Sequence, residues 1–270
     1  QGYRKIRFIT RRLLPEIQWF CVQSAADRDR LLALGAPADR VEVVGSAKYD
    51  VEPTAPTAEA RSGALLAKLG VRPGQPVLVG GSTWDGEEEF LLDFCVEARA
   101  AFPGLMLVLV PRHAERREDV LEAIRRRGLS AVQRSRFPDA APAPAARPEV
   151  LLVDTTGELR GFYAVADLAF VGKSLTQTGG QNPIEPAKDG KAIVVGPHME
   201  NFAAIAEDFA AARAWRQARD AAELKAILRE LLGAAAERAR LGRAAADLVA
   251  RKAGATRLMV ARVLAARTTD

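Results

Sequence analysis

Gly179-Gly180-Gln181-Asn182-Pro183-Ile184-Glu185-Pro186 lies just after the apolar run Leu168 to Val171. Together they read as a strand that ends in a glycine turn and opens into a helix at Pro183. Proline is preformed for a first helical turn, where its missing N–H would be unpaired in any case. Glycines allow backbone N–H groups to come close to whatever sits above the helix N-terminus, where the dipole favours an anion such as phosphate. Glu185 follows within the first turn. A carboxylate there either caps the helix or accepts both hydroxyls of a ribose.

Working outward, short apolar runs recur at Val77 to Val79, Leu105 to Val110, Val150 to Val153, Leu168 to Val171 and Ile193 to Val195. None alternates clearly, as expected of parallel strands covered on both faces. Helical patterns lie between them, at Glu87 to Ala101, Arg116 to Arg127, Glu158 to Ala166 and Pro183 to Lys188. Such alternation predicts an α/β fold with a doubly wound parallel sheet and ligands at the carboxyl ends of its strands. Upstream, Trp19 to Gln23, Ala25 to Leu34 closed by Gly35, and Val41 to Val44 make one βαβ unit, too small for a domain. Glu52 to Thr57, with two prolines and two threonines, reads as a linker. From Ala221 the chain reads as alanine- and arginine-rich helix, and Pro138 to Pro148 as a surface loop.

The chain has 270 residues, 49% of them apolar, enough for a substantial core. Its formal charge of +5 suits an anionic substrate or an acidic membrane surface. Aromatics make up only 6% and do not interleave with basic residues, which argues against a nucleic-acid stacking platform. Cys21 and Cys95 are expected as buried free thiols, and His113 and His198 have no metal-ligand spacing. The basic start (Arg4, Lys5, Arg7, Arg11 and Arg12) is either a solvated helix face or a membrane-attracted one.

Each strand is followed by a chemically suggestive loop. Gly80-Gly81-Ser82-Thr83, before Glu87-Glu88-Glu89, can hold an anion or cap a helix. Arg112 and His113 in Pro111-Arg112-His113-Ala114-Glu115-Arg116 can neutralise a phosphate or form a basic surface loop. Asp154-Thr155-Thr156-Gly157-Glu158-Leu159 and Gly196-Pro197-His198-Met199-Glu200-Asn201-Phe202 complete the set. Glycine- or hydroxyl-bearing turns repeated along one sheet edge suggest a nucleotide site. Gly172-Lys173-Ser174 is no P-loop, because Asp167 stands where the first glycine belongs, and no G-x-G-x-x-G follows a strand.

Taken in order, residues 80–89, 111–116, 154–159, 170–175, 179–186 and 196–202 closely resemble the 3-deoxy-D-manno-octulosonic acid (Kdo) transferases. Gln23-Ser24 and Gly45-Ser46-Ala47-Lys48-Tyr49-Asp50 also fit. The resemblance implies a GT-B glycosyltransferase: two Rossmann-like domains, with the donor nucleotide held by the C-terminal one. It implies residues 1–51 as the end of an N-terminal acceptor domain, 52–60 as a linker, and 61–270 as the donor-binding domain with its C-terminal helices. The implied reaction moves Kdo from CMP-Kdo to a lipid A precursor, inverting and without a metal or other cofactor. The implied place of the full-length protein is the cytoplasmic face of the bacterial inner membrane, in peripheral contact with anionic lipid.

Residue by residue, the resemblance places Glu185 on the ribose hydroxyls with Asn182 beside it, in the turn of Gly179 and Gly180. Arg112 and His113 meet the phosphate. Thr156, Gly157, Glu158 and Leu159 surround the cytidine end, and Ser82 and Thr83 lie near the sugar. The family's general base is a glutamate of the N-terminal domain, so this chain is expected to bind donor without turning over alone. Family members usually show histidine where Trp84 and Gln181 stand, glycine at Lys173 and methionine at Thr156. The first pair bears on contacts near the sugar, the second on donor affinity or acceptor preference. Two other readings remain: another GT-B enzyme, such as a UDP-sugar transferase or epimerase, and a non-enzymatic nucleotide-binding module.

Overall fold

The computed structural model describes residues 7–267, so Arg4 and Lys5 of the basic start lie outside the described residues. The chain divides into two compact units, residues 1–51 with 249–270, and residues 52–248.

In the first unit, α1 (Arg7–Leu13) precedes β1 (Phe20–Val22), α2 (Ala25–Leu34) and β2 (Val41–Val43). The two strands pair in parallel, with Phe20 opposite Val41. Ser24 caps α2 by accepting the Asp27 N–H, and Gly35 ends it with φ of 104°, a left-handed conformation glycine adopts freely. Cys21 is only half buried, against expectation.

The second unit opens with α3 (Pro56–Lys68), where a linker was expected up to residue 60. Pro56 starts the helix rather than preventing it, and Leu65, Leu66 and Leu69 drive it into the core. Then come β3 (Val77–Thr83), α4 (Glu87–Ala98), β4 (Met106–Pro111), α5 (Arg117–Arg126), β5 (Ala131–Gln133) and β6 (Val150–Leu152). The remaining elements are α6 (Leu159–Val165), β7 (Leu168–Val171), α7 (Ile184–Lys188), β8 (Ala192–Val195), α8 (Ala203–Ala211), β9 (Arg216–Gln217), α9 (Ala221–Gly233), α10 (Ala235–Lys252) and α11 (Ala255–Arg267). Residues 249–270, expected with the C-terminal domain, instead join the first unit. Asp50 accepts the N–H groups of Gly254 and Thr256 at 2.5 and 2.6 Å, and Arg262 pairs with Glu42 at 2.5 Å.

The seven strands β3 to β9 form one parallel sheet in the order β5-β6-β4-β3-β7-β8-β9. Alternate residues feed two cores. Leu78, Leu107, Leu109, Leu168 and Phe170 meet α4, α5 and α9 on one face. Val79, Val108, Leu151 and Ala169 meet α3 and α6 on the other. This double burial explains the continuous apolar runs. Cys95, on α4, is buried within the first core, which pushes its thiol up to about 11. From β3 the chain steps to β4 on one side and later returns to β7 on the other. The order therefore reverses between β3 and β7, and the crevice at their carboxyl ends is the topological switch point.

Candidate functional site

Gly80 to Thr83 continue β3 rather than turning away from it. A Cβ at Gly80 would lie 2.5 Å from Leu91 on α4, and one at Gly81 would collide with the Tyr163 hydroxyl on α6. These glycines let helices approach both faces of the strand, so they serve packing rather than an anion. The register against β4 then shifts between Gly81 and Thr83, and Ser82 adopts φ of 53°. A bulge at a strand end re-aims a side chain, and left-handed backbone at a non-glycine residue stores strain. Ser82 is half buried at the crevice. Thr83 is fully buried, and its hydroxyl donates to Glu88 Oε1 at 2.8 Å, which leaves it no part at a ligand.

Two of the acids in the expected helix start are internal struts. Glu87 is fully buried, and its carboxylate accepts four backbone N–H bonds: Trp84 at 2.9 Å, Lys173 at 2.8 Å, Ser174 at 2.8 Å and Leu175 at 2.9 Å. It ties the β3 loop to the β7 loop across the switch point. Burial pushes its carboxyl up, against these four donors that pull it down. Glu88 is likewise raised by burial; Arg116 holds it at 3.0 and 3.1 Å while also reaching Asp85 at 2.8 Å. A Cβ at Gly172 would sit 2.5 Å from the Ser82 carbonyl and 2.6 Å from Thr83 Cα, so the two loops touch there. Ser174 is buried and donates to the Val171 carbonyl at 2.6 Å while accepting from Gly196 N–H at 2.9 Å.

The glycine turn also differs from expectation. Gly179 and Gly180 have φ of 118° and 72°. Their N–H groups are already engaged: Gly179 donates to the Glu200 carboxylate at 2.6 Å and Gly180 to the Lys173 carbonyl at 2.8 Å. The helix begins at Ile184 and runs only five residues, too short to carry much dipole. Positive charge at this mouth comes from side chains instead.

Those side chains converge on Glu185, which is half buried. Asn182 stands beside its carboxylate, and Asn182 Oδ1 accepts from Ile184 N–H at 3.1 Å. Burial raises the Glu185 carboxyl; Arg160, Asn182 and the Arg112 cation lower it, and Asp189 raises it. Arg112 is exposed at the end of β4, and its N–H donates to the Thr83 carbonyl at 3.0 Å. His113 packs edge-to-face on Trp84, with ring centroids 5.0 Å apart, and lies 3.4 Å from Glu115. Lys173 also meets Trp84, its Nζ 4.3 Å from the ring centroid, and has φ of 54°. The structure thus brings two residues outside the family's usual pattern into contact.

Thr156 and Gly157 are exposed, with Gly157 at φ of 86°, and Leu159 packs against the second core. The Glu158 carboxylate is held by buried Arg134 at 3.0 to 3.1 Å and by the Thr155 hydroxyl, so only its backbone faces the loop freely. A cavity of about 270 Å³ opens beside this loop, lined by Thr57, Arg61, Ser62, Gly157 and Glu158. Arg160 was missed by sequence reasoning, although it directly follows the Gly157-Glu158-Leu159 motif. It donates to the Glu52 carbonyl, while its Nε is buried without a partner among the described residues. Among the described residues no group of three or more His, Cys, Asp or Glu converges to hold a metal, and no helix is long and apolar enough to cross a membrane.

Comparison with known proteins identifies the family and the fold. Residues 1–51 match the family model described as 3-Deoxy-D-manno-octulosonic-acid transferase (kdotransferase). The chain is 36% identical over 250 residues to a 3-deoxy-D-manno-octulosonic acid transferase of Bordetella pertussis, covering 92% of this chain and 56% of that protein. It spans 56% of that protein and 58% of a 3-deoxy-D-manno-octulosonic acid transferase of Haemophilus influenzae, and less than half of other curated relatives it matches. The crystal structure of the C-terminal CMP-Kdo binding domain of WaaA from Acinetobacter baumannii superposes with a TM-score of 0.65 at 28% identity, covering 72% of this chain and 98% of that one. Anabaena HepE in complex with UDP shares the fold, with a TM-score of 0.56 at 16% identity over 96% of this chain and 68% of that one. The chain belongs to the Kdo transferase family of glycosyltransferases, with a GT-B-type α/β fold.

Proposed function

We propose that residues 52–248 hold CMP-Kdo, and that the complete protein transfers Kdo from it to a lipid A precursor in lipopolysaccharide synthesis. One observation carries this: Glu185 sits half buried beside the switch point, next to Asn182, with the Arg112 and Arg160 cations near enough to favour its ionised form. A carboxylate so placed accepts two vicinal ribose hydroxyls, while Arg112 and half-exposed His113 meet the phosphate. Gly157 and its neighbours bound the cytidine end, where the adjoining cavity gives room. Ser82, aimed by its bulge, lies towards the sugar.

The chemistry asks for charge stabilisation on one side and a base on the other. As the glycosidic bond to phosphate breaks, the leaving CMP gains negative charge, and preorganised cations stabilise it in the transition state. Inversion requires the acceptor hydroxyl to attack from the opposite face, deprotonated by a general base. That base belongs to the acceptor side, of which residues 1–51 are the end. The full protein contacts the anionic inner membrane from its cytoplasmic face, where its lipid acceptor lies.

Calorimetric titration of the 270-residue chain with CMP, UDP and AMP tests the donor assignment. Saturable binding of CMP, tighter than UDP and AMP, is expected. Preference for UDP would move the chain to another class of GT-B enzyme.

A further inference from the structure

Residues 154–158, between β6 and α6, form a loop with open backbone donors. Thr156 and Gly157 are exposed, and the N–H groups of Thr155, Thr156 and Gly157 have no acceptor among the described residues. Donors of this kind hold a ligand well only if they are held still, because ordering a loop on binding subtracts from affinity. Gly157, at φ of 86°, gives the loop no stiffness of its own.

The stiffness comes from a neighbouring strand end. Gln133, Arg134 and Ser135 are consecutive residues where β5 leaves the sheet, and they bond both ends of the loop. At its start, Asp154 Oδ1 accepts the Ser135 N–H at 2.9 Å, while Oδ2 accepts the Gln133 amide and the Ser135 hydroxyl, each at 2.7 Å. At its end, the Glu158 carboxylate accepts Nε and Nη2 of Arg134 at 3.0 to 3.1 Å. The Thr155 hydroxyl donates to the same carboxylate and so closes the loop on itself. Glu158 leads directly into α6, which carries Arg160, one of the two cations acting on the Glu185 carboxyl.

Arg134 is only 5% exposed. Its other bonds reach the Phe137 carbonyl at 2.6 Å and Asp139 at 2.7 Å, and Asp139 in turn holds Arg61 of α3 at 2.8 Å. A buried ion pair is a poor way to gain stability, since apolar side chains of similar volume often serve a fold as well. What the guanidinium adds is geometry: its planar fork fixes the orientation of a carboxylate as well as its distance. A buried arginine on a three-residue edge strand, spent on the last residue of a loop with open donors, serves that loop rather than the core.

Resting on the nucleotide reading above, we propose that Gln133, Arg134 and Ser135 form a clamp that holds loop 154–158 in its ligand-binding shape, with Arg134 as a positioning residue for the nucleoside. Arg134 touches no ligand. It acts through Glu158, and the end of the edge strand thereby becomes part of the binding apparatus.

The test reads loop order and affinity separately, by the NMR order parameter of the Gly157 amide without ligand and by calorimetry with CMP. In the parent the amide should be rigid, with an order parameter of about 0.8. Arg134→Met fills similar space without the fork, so the order parameter should fall below about 0.6 and CMP should bind about tenfold more weakly. Arg134→Lys, which keeps the charge but not the fork, should recover part of each loss. Ser135→Ala removes one bond at an exposed position and keeps the fold, and should loosen the loop and weaken CMP about threefold. Val120→Ala lowers stability from the other core without touching the clamp, and its CMP affinity should stay within about twofold. A rigid Gly157 amide in folded Arg134→Met or in Ser135→Ala would overturn the clamp. Parent-like CMP affinity in a variant with a loosened loop, or an equal loss in Val120→Ala, would overturn the positioning role. A folded parent that binds no CMP would instead overturn the nucleotide reading, and the order parameters alone would then decide the clamp.

Discussion

Two glutamates flank the same crevice and do opposite things. Glu87, on the β3 side, has its carboxylate surrounded by four backbone N–H donors from two loops and is closed to solvent. Glu185, on the β7 side, is half buried, with Asn182 beside it and two cations acting on its carboxyl, Arg112 from the loop after β4 and Arg160 from α6. The first is satisfied by the protein itself and can only hold the fold. The second keeps acceptor capacity for a ligand. Acidity and nearness to a strand end do not separate these roles; the number of donors already used does.

The contrast predicts effects of decreasing size. Glu87→Gln presents an amide to N–H donors and leaves buried groups unpaired, which should cost about 3–5 kcal/mol. A shift of the urea midpoint worth less than about 1 kcal/mol would deny Glu87 its structural role. Gly172→Ala forces a methyl against the Ser82 carbonyl and Thr83 Cα, and about 2–3 kcal/mol of stability should go with it. Wild-type stability in that variant would mean that the two loops do not need their close approach.

On the ligand side, Arg112→Ala removes an exposed cation, so its unfolding midpoint should stay put. Its affinity for CMP should fall about tenfold while that for cytidine, which has no phosphate, stays unchanged. Equal losses for both ligands would contradict a phosphate role.

The smallest effect concerns stability and pH. Burial raises the Glu185 carboxyl above its unfolded value, so the folded chain holds this proton to higher pH than the unfolded chain does. Stability then falls as pH rises from the unfolded value through the folded one, and ionised Glu185 is a small cost at neutral pH. Glu185→Gln should therefore give a slightly higher urea midpoint at about pH 7.5, and this gain should vanish in acid. A lower midpoint near neutral pH would make Glu185 a structural strut like Glu87.

Much of the sheet was legible because strands buried on both faces write themselves as apolar runs; β4, β6, β7 and β8 follow this rule. The edge strands β5 and β9 did not, since Gln133, Arg216 and Gln217 break the pattern and three or two residues suffice there. Gly80 and Gly81 read as a turn because local chemistry cannot reveal that Leu91 and Tyr163 need the missing side chains. Thr83 and the Glu158 carboxylate were expected at the donor but face Glu88 and Arg134, partners five and 24 residues away. Arg112, Asn182 and Glu185 did come together, because strand-end loops of a parallel sheet share one edge whatever their separation in sequence.

The most direct measurement is calorimetric titration of CMP into the Glu185→Gln chain beside its parent near neutral pH, with a urea melt of each. The parent should bind CMP saturably and the variant at least about tenfold more weakly, with an unfolding midpoint equal to the parent's or slightly above it. Unchanged CMP affinity in a folded variant would contradict the account, because the carboxylate left open by the fold would then have no ligand to hold.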